Sequence, residues 1–327
     1  MFHLRIPPSW QLPESLATPE QIYLRRREFL RGALGAGAGA LLLPSLAHAA
    51  EDEAERGPWT GVKDYPRKVE RNPAYAKLDR PLSEARDAAS FNNFYEFSLG
   101  KEDVWPLAQK LTTDPWSIEV AGHAKNTGKL DLDDLLKKLP QEERLYRFRC
   151  VETWAMAVPW IGIPMRAFLK HVEPTSKARY VRFLTFLRPK EAPNQADGPY
   201  KDVFPYYEAL RIEEADNELT LLATGLYGKR LPRQNGAPVR LVVPWKYGYK
   251  SPKSIVRIEF TEKRPPTFWN DLQPGEYGWL SNVDPAVPHP RWSQKFEWML
   301  PSRADRRETR VYNGYSEQVA SLYRKPK

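Results

Sequence analysis

Thirty-one prolines spread along 327 residues are the strongest constraint on what this chain can become. A proline inside a helix removes a backbone donor and clashes with the preceding turn, a cost of roughly 3 kcal/mol. Long helices are therefore excluded over most of the sequence, and a helical bundle with them. Eleven tryptophans and 41% hydrophobic residues supply ample material for a core, so the composition is globular rather than disordered. The combination predicts an α+β fold with mixed sheets, short helices and long ordered loops.

The first 49 residues read as an address rather than as structure. Arg26 and Arg27, followed by Glu28, Phe29, Leu30 and Arg31, resemble the twin-arginine pattern of bacterial export signals. Gly32 to Leu46 is uncharged but too short to span a bilayer, which takes about 20 apolar residues. Ala47-His48-Ala49 is a small-x-small cleavage site, so the mature chain is expected in the periplasm, delivered by the twin-arginine (Tat) export machinery. Residues 1–20 form an unusually long lead-in. Five Arg and three acidic residues leave with the signal, taking the formal charge from +9 to +7. A surface this basic suits nucleic acid, anionic lipid or an anionic cofactor. Export argues against nucleic acid as a partner. A pathway for folded proteins raises the expectation of a redox cofactor assembled before export.

Along the mature chain, residues 50–90 are charged and interrupted by proline, and are read as an extended arm; residues 91–327 form the catalytic domain. Trp116–Gly122 has strand character. Leu132, Leu135, Leu136 and Leu139 recur at helical spacing before Pro140 stops them. In "RLYRFRCV", Tyr146, Phe148 and Cys150 share one strand face and Arg147 and Arg149 the other. A helix follows Pro164, with Met165, Phe168, Leu169 and Val172 as its buried stripe. Residues 180–187, 219–224, 239–243 and 254–260 read as further strands.

Cys150 is the only cysteine. A lone thiol in an oxidising compartment is open to oxidation or cross-linking unless it is buried or bonded to a ligand. Only three histidines survive signal removal, and no nucleophile signature accompanies them, so hydrolase chemistry is disfavoured. Copper, zinc and iron–sulfur sites need more Cys or His at close spacing. A single thiolate suits a metal that arrives with most of its own ligands. The alternative is a small buried hydrophobe in a strand. Glu152 has the parity of Cys150 if the extended chain continues, and Arg149 adjoins, a charge that favours the thiolate.

A second constellation is "LPRQNGAPVRLVVPWKYGYKSPKS", Leu231 to Ser254. Arg240, Lys246, Lys250 and Lys253 lie among Ser251, Ser254 and Gly248, a composition able to hold a phosphate. Read alone, the motif favours a solvated basic hairpin over a ligand site. The third, "FNNFYEF" (Phe91–Phe97), sets two amides and a carboxylate among aromatics, which can also be turn caps and core.

Taken together, "NNFYEF", "YRFRCVETWAMAVPWIGIP", "NGAPVRLVVPWKYGYKSPKSI" and "HPRWSQ" resemble one family. It is that of the catalytic subunits of periplasmic protein-methionine-sulfoxide reductase, molybdenum enzymes with the sulfite-oxidase fold. The resemblance runs from about Asn92 to Arg324. It implies one molybdenum–molybdopterin per chain, with Cys150 as the protein's sulfur ligand to the metal. It implies cofactor contacts from Asn92, Tyr95, Glu96, Thr185, Asn235, Arg240, Ser251, Pro252 and Lys253. Pro252 departs from the expected pattern, because it has no backbone N–H to donate.

The implied reaction is oxygen-atom transfer from methionine sulfoxide in oxidised periplasmic proteins, a repair that consumes two electrons and two protons and releases water. A haem-containing membrane subunit is the implied electron donor. Glu152 is the candidate for proton delivery, with an ion pair to a nearby Arg as its alternative. Trp154, Trp160, Tyr277 and Trp279 are candidates for an open mouth or for core. A reductase of small S- or N-oxides and a sulfite-oxidising enzyme are the nearest other readings, the latter requiring arginines such as Arg147 and Arg149 to converge on the metal. A non-enzymatic basic binding protein is the reading of a different class.

Overall fold

The computed structural model describes residues 57–324; the leader and the start of the arm lie outside them. In chain order the first strands are β1 (Ser117–Gly122), β2 (Gly128–Asp131), β3 (Glu142–Arg149), β4 (Trp154–Pro164), β5 (Tyr180–Thr185) and β6 (Tyr207–Arg211). They are followed by β7 (Leu221–Leu226), β8 (Lys229–Arg230), β9 (Arg240–Val242), β10 (Ile255–Thr261), β11 (Phe296–Met299) and β12 (Arg306–Glu308). Helices are short, as the proline distribution requires, the longest described being Met165–Val172 at 8 residues.

One sheet has the order β2-β1-β10-β5-β6. Its strands behave as alternation dictates: Val181, Phe183 and Thr185 of β5 are buried while their neighbours are not. The second sheet runs β12-β11-β4-β7-β8, with β3 on β4 and β9 on β7. Both expected helices form. Leu132–Lys138 is capped by Asp131, whose side chain accepts from the Asp134 N–H at 3.0 Å. Met165–Val172 buries the four residues of its apolar stripe.

β4 carries no alternation to read. All but its last residue are buried, so both faces are apolar, and Pro159 and Gly162 argue locally against a strand. It holds because neighbours cover it on both sides. β3 pairs along one edge from Glu142↔Gly162 to Arg149↔Ala155. β11 takes the start of the other edge and β7 its end. Between them the chain before the catalytic segment fills the gap: Ser83 N–H donates to Ala157 O at 2.8 Å, and Ala157 N–H donates to Ser83 Oγ at 3.2 Å. The stretch read as an extended arm is thus stitched into the sheet, and it ends in a short helix, Ala85–Ser90.

Candidate active site

β3 and β4 form a hairpin whose tip is the segment Cys150–Thr153. Cys150 N–H donates to Trp154 O at 2.9 Å, and Thr153 N–H closes back on Cys150 O at 3.1 Å. Thr153 sits at φ 74°. Glu152 therefore does not continue an extended strand. It reaches the neighbourhood of Cys150 through a tight turn, and its own N–H points at Cys150 Sγ, 3.4 Å away.

The sulfur lies on the wall of a pocket of about 820 Å³. Of the residues expected to hold a cofactor, Asn92, Tyr95, Glu96, Arg240, Ser251, Pro252 and Lys253 line the same pocket with Cys150 and Glu152. Thr185 and Asn235 do not line it. Thr185 bonds through its backbone to Tyr206 O at 2.9 Å, and Tyr206 is a wall residue. Asn235 donates to Asn92 Oδ1 at 3.2 Å and accepts from Arg240 Nη1 at 3.0 Å through its backbone oxygen. It fixes two wall residues rather than forming the wall. Gly236, at φ +99°, is required beside it, since a Cβ there would come within 2.8 Å of Lys253 Cβ. Gly248 likewise lets its loop close on β3, where a Cβ would meet Phe148 at 2.6 Å.

The basic loop divides into two kinds of cation. Lys246 Nζ meets Glu214 at 2.7 Å, and Lys250 Nζ meets Glu208. Both lysines are ion-paired inside the protein and add nothing to a phosphate site. Arg240 is buried with no carboxylate partner among the described residues. It bonds three backbone carbonyls and lies against the rings of Phe148 and Trp160 at 5.2 and 5.1 Å. Burial pulls its pKa down to about 9. Lys253 Nζ donates to Asn93 O at 2.7 Å, and burial, with Arg240 next, lowers its pKa to about 7. Glu96 is raised to about 7, chiefly by burial. Neither Arg240 nor Lys253 forms an ion pair among the described residues, although Glu96 on the same wall acts on Lys253 from farther away; a pocket holding two such cations suits an arriving anion. Ser251 Oγ accepts from Val243 N–H at 3.2 Å, leaving its own proton to donate. Buried oxygens without donors, Thr185 Oγ1, Asn93 Oδ1 and Asn235 Oδ1, add unused capacity around it. These residues fit a polar, phosphate-bearing cofactor.

The thiol end fits a metal. Burial, with Glu152 second, pushes the Cys150 pKa up to about 12. The help from Arg149 ranks below the opposing effect of Glu152, because its guanidinium donates to the Cys150 backbone oxygen rather than to the sulfur, and is otherwise held by Glu297 at 3.2 Å and Gln294 at 2.8 Å. A thiol this reluctant gives up its proton to a coordinating metal. Among the described residues no three His, Cys, Asp or Glu side chains gather as a metal cage, so a metal at Cys150 must bring its other ligands. Arg147 is also committed elsewhere, to Asp79 at 2.5 Å. Neither arginine converges on the sulfur, and a site for an anion such as sulfite at the metal loses its expected donors.

Glu152 is ion-paired, to Lys101 at 2.9 Å rather than to an arginine. It also accepts from Asn93 Nδ2 at 2.9 Å and Tyr95 OH at 3.4 Å. Asn93, which also points its amide at Cys150 Sγ from 3.3 Å, is the residue sequence reasoning passed over. The doubled amide in "NNF" was its only signal. Of the four candidate mouth aromatics, Trp154 and Tyr277 line the pocket. Trp160 is core, beneath Arg240. Trp279 lies elsewhere, bonded to Pro265 O at 2.9 Å.

Residues 105–269 match the family model of the oxidoreductase molybdopterin-binding domain. Two relatives are catalytic subunits, MsrP, of protein-methionine-sulfoxide reductase. The protein of Xanthomonas axonopodis pv. citri (strain 306) is 48% identical over 322 residues, 95% of each chain. That of Xanthomonas campestris pv. campestris is 49% identical over 321 residues, 95% of this chain and 94% of the relative. The chain belongs to this reductase family. Its fold is therefore the expected molybdopterin-binding type, with mixed sheets and short helices, and its class is oxidoreductase. Among solved structures, the sulfane dehydrogenase SoxCD of Paracoccus pantotrophus aligns with a TM-score of 0.43 at 14% identity. That alignment covers 70% of this chain and 57% of the other. The family model holds Cys150, Glu152, Thr185, Asn235, Arg240 and Ser251–Lys253, while the wall residues Asn92, Tyr95 and Glu96 lie ahead of it.

Proposed function

We propose that this protein reduces methionine sulfoxide within periplasmic proteins, repairing oxidative damage, with one molybdenum–molybdopterin per chain. The observation that carries the reading is the pocket in which a buried thiol shares its walls with two cations, Arg240 and Lys253, that form no ion pair among the described residues. The names borne by its relatives support the substrate. Molybdenum bound through Cys150 would supply the two-electron exchange of oxygen with the sulfoxide.

The chain's own residues do the rest. Arg240, Lys253 and Ser251 would bind the phosphate end through charge-assisted and hydroxyl hydrogen bonds. Asn92, Tyr95 and Glu96 would hold the pterin, with Asn92 fixed in place by the Asn235 amide; Thr185 supports the wall residue Tyr206. Asn93 orients both the thiol and the Glu152 carboxylate. Glu152, hydrogen-bonded to Tyr95 and partly open to solvent, is placed to pass protons to the departing oxygen at its own Oε atoms. Trp154 and Tyr277 wall the site with apolar surface and exclude water from it. A sulfoxide gains two electrons and two protons and leaves as thioether and water. A haem-bearing membrane subunit is the proposed donor of those electrons. The twin-arginine leader, cleaved after Ala49, is the proposed route to the periplasm.

The test is to purify exported protein from a host that makes molybdopterin. Molybdenum per chain is then measured by mass spectrometry, and reduction of oxidised protein is followed with a viologen donor. About one metal per chain and sulfoxide-dependent oxidation of the donor are expected. Correctly processed, folded protein with no metal would falsify the assignment of Cys150.

A further inference from the structure

Beside the pocket of Cys150 a second depression, about 1050 Å³, is walled by Phe91, Trp154, Trp292 and Trp298. Phe91 stands edge-on to Trp154 at 5.3 Å and to Trp298 at 5.8 Å, so the three rings pack together along the depression, with Trp154 the most deeply set. Leu99, on its rim, is 48% exposed and extends the apolar surface of the rings. Charged groups complete the rim: Lys101 paired to Glu152, and Arg303 over the Trp298 ring at 5.3 Å. An aromatic floor with a charged rim is the anatomy of a protein-recognition surface.

The groove adjoins the site, since Glu152 and Trp154 line both cavities. That adjacency selects the occupant. A methionine sulfoxide that reaches Cys150 while still part of a polypeptide brings its neighbours with it. In an extended chain these are spaced by about 3.3 Å per residue, so residues two to four places away lie roughly 7–13 Å from the sulfoxide residue. They must rest on surface that adjoins the mouth, and on this side that surface is aromatic.

We propose that the groove floored by Phe91, Trp154, Trp292 and Trp298 binds the polypeptide flank of the sulfoxide and selects an apolar or aromatic side chain near the oxidised methionine. The inference rests on the reductase reading and names the substrate features that reading leaves open.

Two peptides of equal length test it, each with a central methionine sulfoxide, one flanked by Phe and Leu and the other by Ser. The holoenzyme, Trp298→Ala and Leu99→Ser are compared by peptide KM and kcat, by turnover of free methionine sulfoxide, and by calorimetric Kd without reductant. Wild type is expected to favour the apolar flank by about tenfold in both KM and Kd, the worth of one buried side chain. Trp298→Ala should erase that preference, and Leu99→Ser, which touches no core, should reduce it. Turnover of free methionine sulfoxide should be unchanged in both. Equal binding of the two peptides by wild type overturns the proposal. So does a parallel loss on peptide and free sulfoxide, the mark of a merely structural effect. Unchanged peptide KM in the variants, with altered sedimentation, gives the groove to a second copy of the chain. Wild type that binds the apolar peptide tenfold better yet reduces no sulfoxide keeps the groove and sinks the reductase reading instead.

Discussion

Lys246 and Arg240 lie six residues apart in chain and are buried alike, each about 1% exposed. Their surroundings differ in kind. Lys246 has Glu214 at 2.7 Å and takes two further oxygens, Leu280 O and Asn282 Oδ1, both at 2.8 Å. Arg240 has carbonyls and aromatic rings around it but no carboxylate among the described residues. An internal pair closes its own electrostatics, whereas a cation left without one defers part of its desolvation cost to whatever anion arrives. The difference separates a structural charge from a binding charge. It does so without reference to the residue type, since both are basic and both lie in the same motif.

The largest effect should come from breaking the closed pair. Lys246→Met leaves Glu214 buried beside Tyr323 OH and the Arg211 N–H, with only the more distant Arg211 guanidinium at 3.8 Å as a cation, and is expected to destabilise the cofactor-free protein by about 3 kcal/mol. Adding Glu214→Met should recover much of that loss, because no charge is then stranded. Denaturant titration of the single and double variants reads both. Recovery failing in the double variant would mean that packing, not charge, holds this region.

Arg240→Met inverts the pattern. It removes a cation with no counter-ion and replaces it with a flexible side chain of similar length between Phe148 and Trp160. The cofactor-free protein should lose less than half the stability that Lys246→Met loses. Retention of molybdopterin should fall by roughly 10- to 100-fold, the worth of a charge-assisted contact to phosphate. Phosphate analysis of protein purified from a molybdopterin-producing host measures the second quantity. Equal destabilisation by the two variants, with cofactor retained, would erase the distinction between them.

That distinction is invisible in sequence. The glutamates that close the two lysine pairs sit at 208 and 214, on β6 and the short helix Ile212–Ala215 after it, and only folding brings them to the loop. The same holds for Lys101, which reaches Glu152 from a different segment. What was legible was periodic or local. β5 and the helix Leu132–Lys138 each bury one face, so their spacing carries the pattern. The Cys150 motif and the basic loop keep their chemistry within a few residues. β4 was not legible, because a strand buried on both faces has no alternation, and Pro159 and Gly162 contradict it locally. Glu152 was placed near Cys150 by strand parity, and arrived there by a hairpin turn instead. The geometry of a turn is set by the strands it joins, here by a register spanning Arg149↔Ala155.

The smallest effect, and the finest discriminator, is the pH response of Lys253. Its pKa in the folded chain is about 7 against an ordinary 10.5. Between those values the unfolded chain holds a proton that the folded chain has already lost, so raising the pH through this window favours folding. Cofactor-free protein should therefore gain stability from pH 7 to pH 9. Lys246, lowered to about 8, contributes in the same direction, so the Lys253 share is the difference that Lys253→Met makes in a Glu96→Gln background, where the carboxyl that acts on Lys253 no longer titrates. That difference is bounded by one proton, about 1.4 kcal/mol per pH unit. Glu96 works with the opposite sign. With its pKa raised to about 7, it lowers stability as pH climbs towards 7, and measurements begun at pH 7 leave most of its titration behind. A bound phosphate would supply the missing counter-ion and return the Lys253 pKa upward, flattening the slope in loaded protein. A slope that survives loading would place the phosphate away from Lys253 and leave Arg240 as the binding charge.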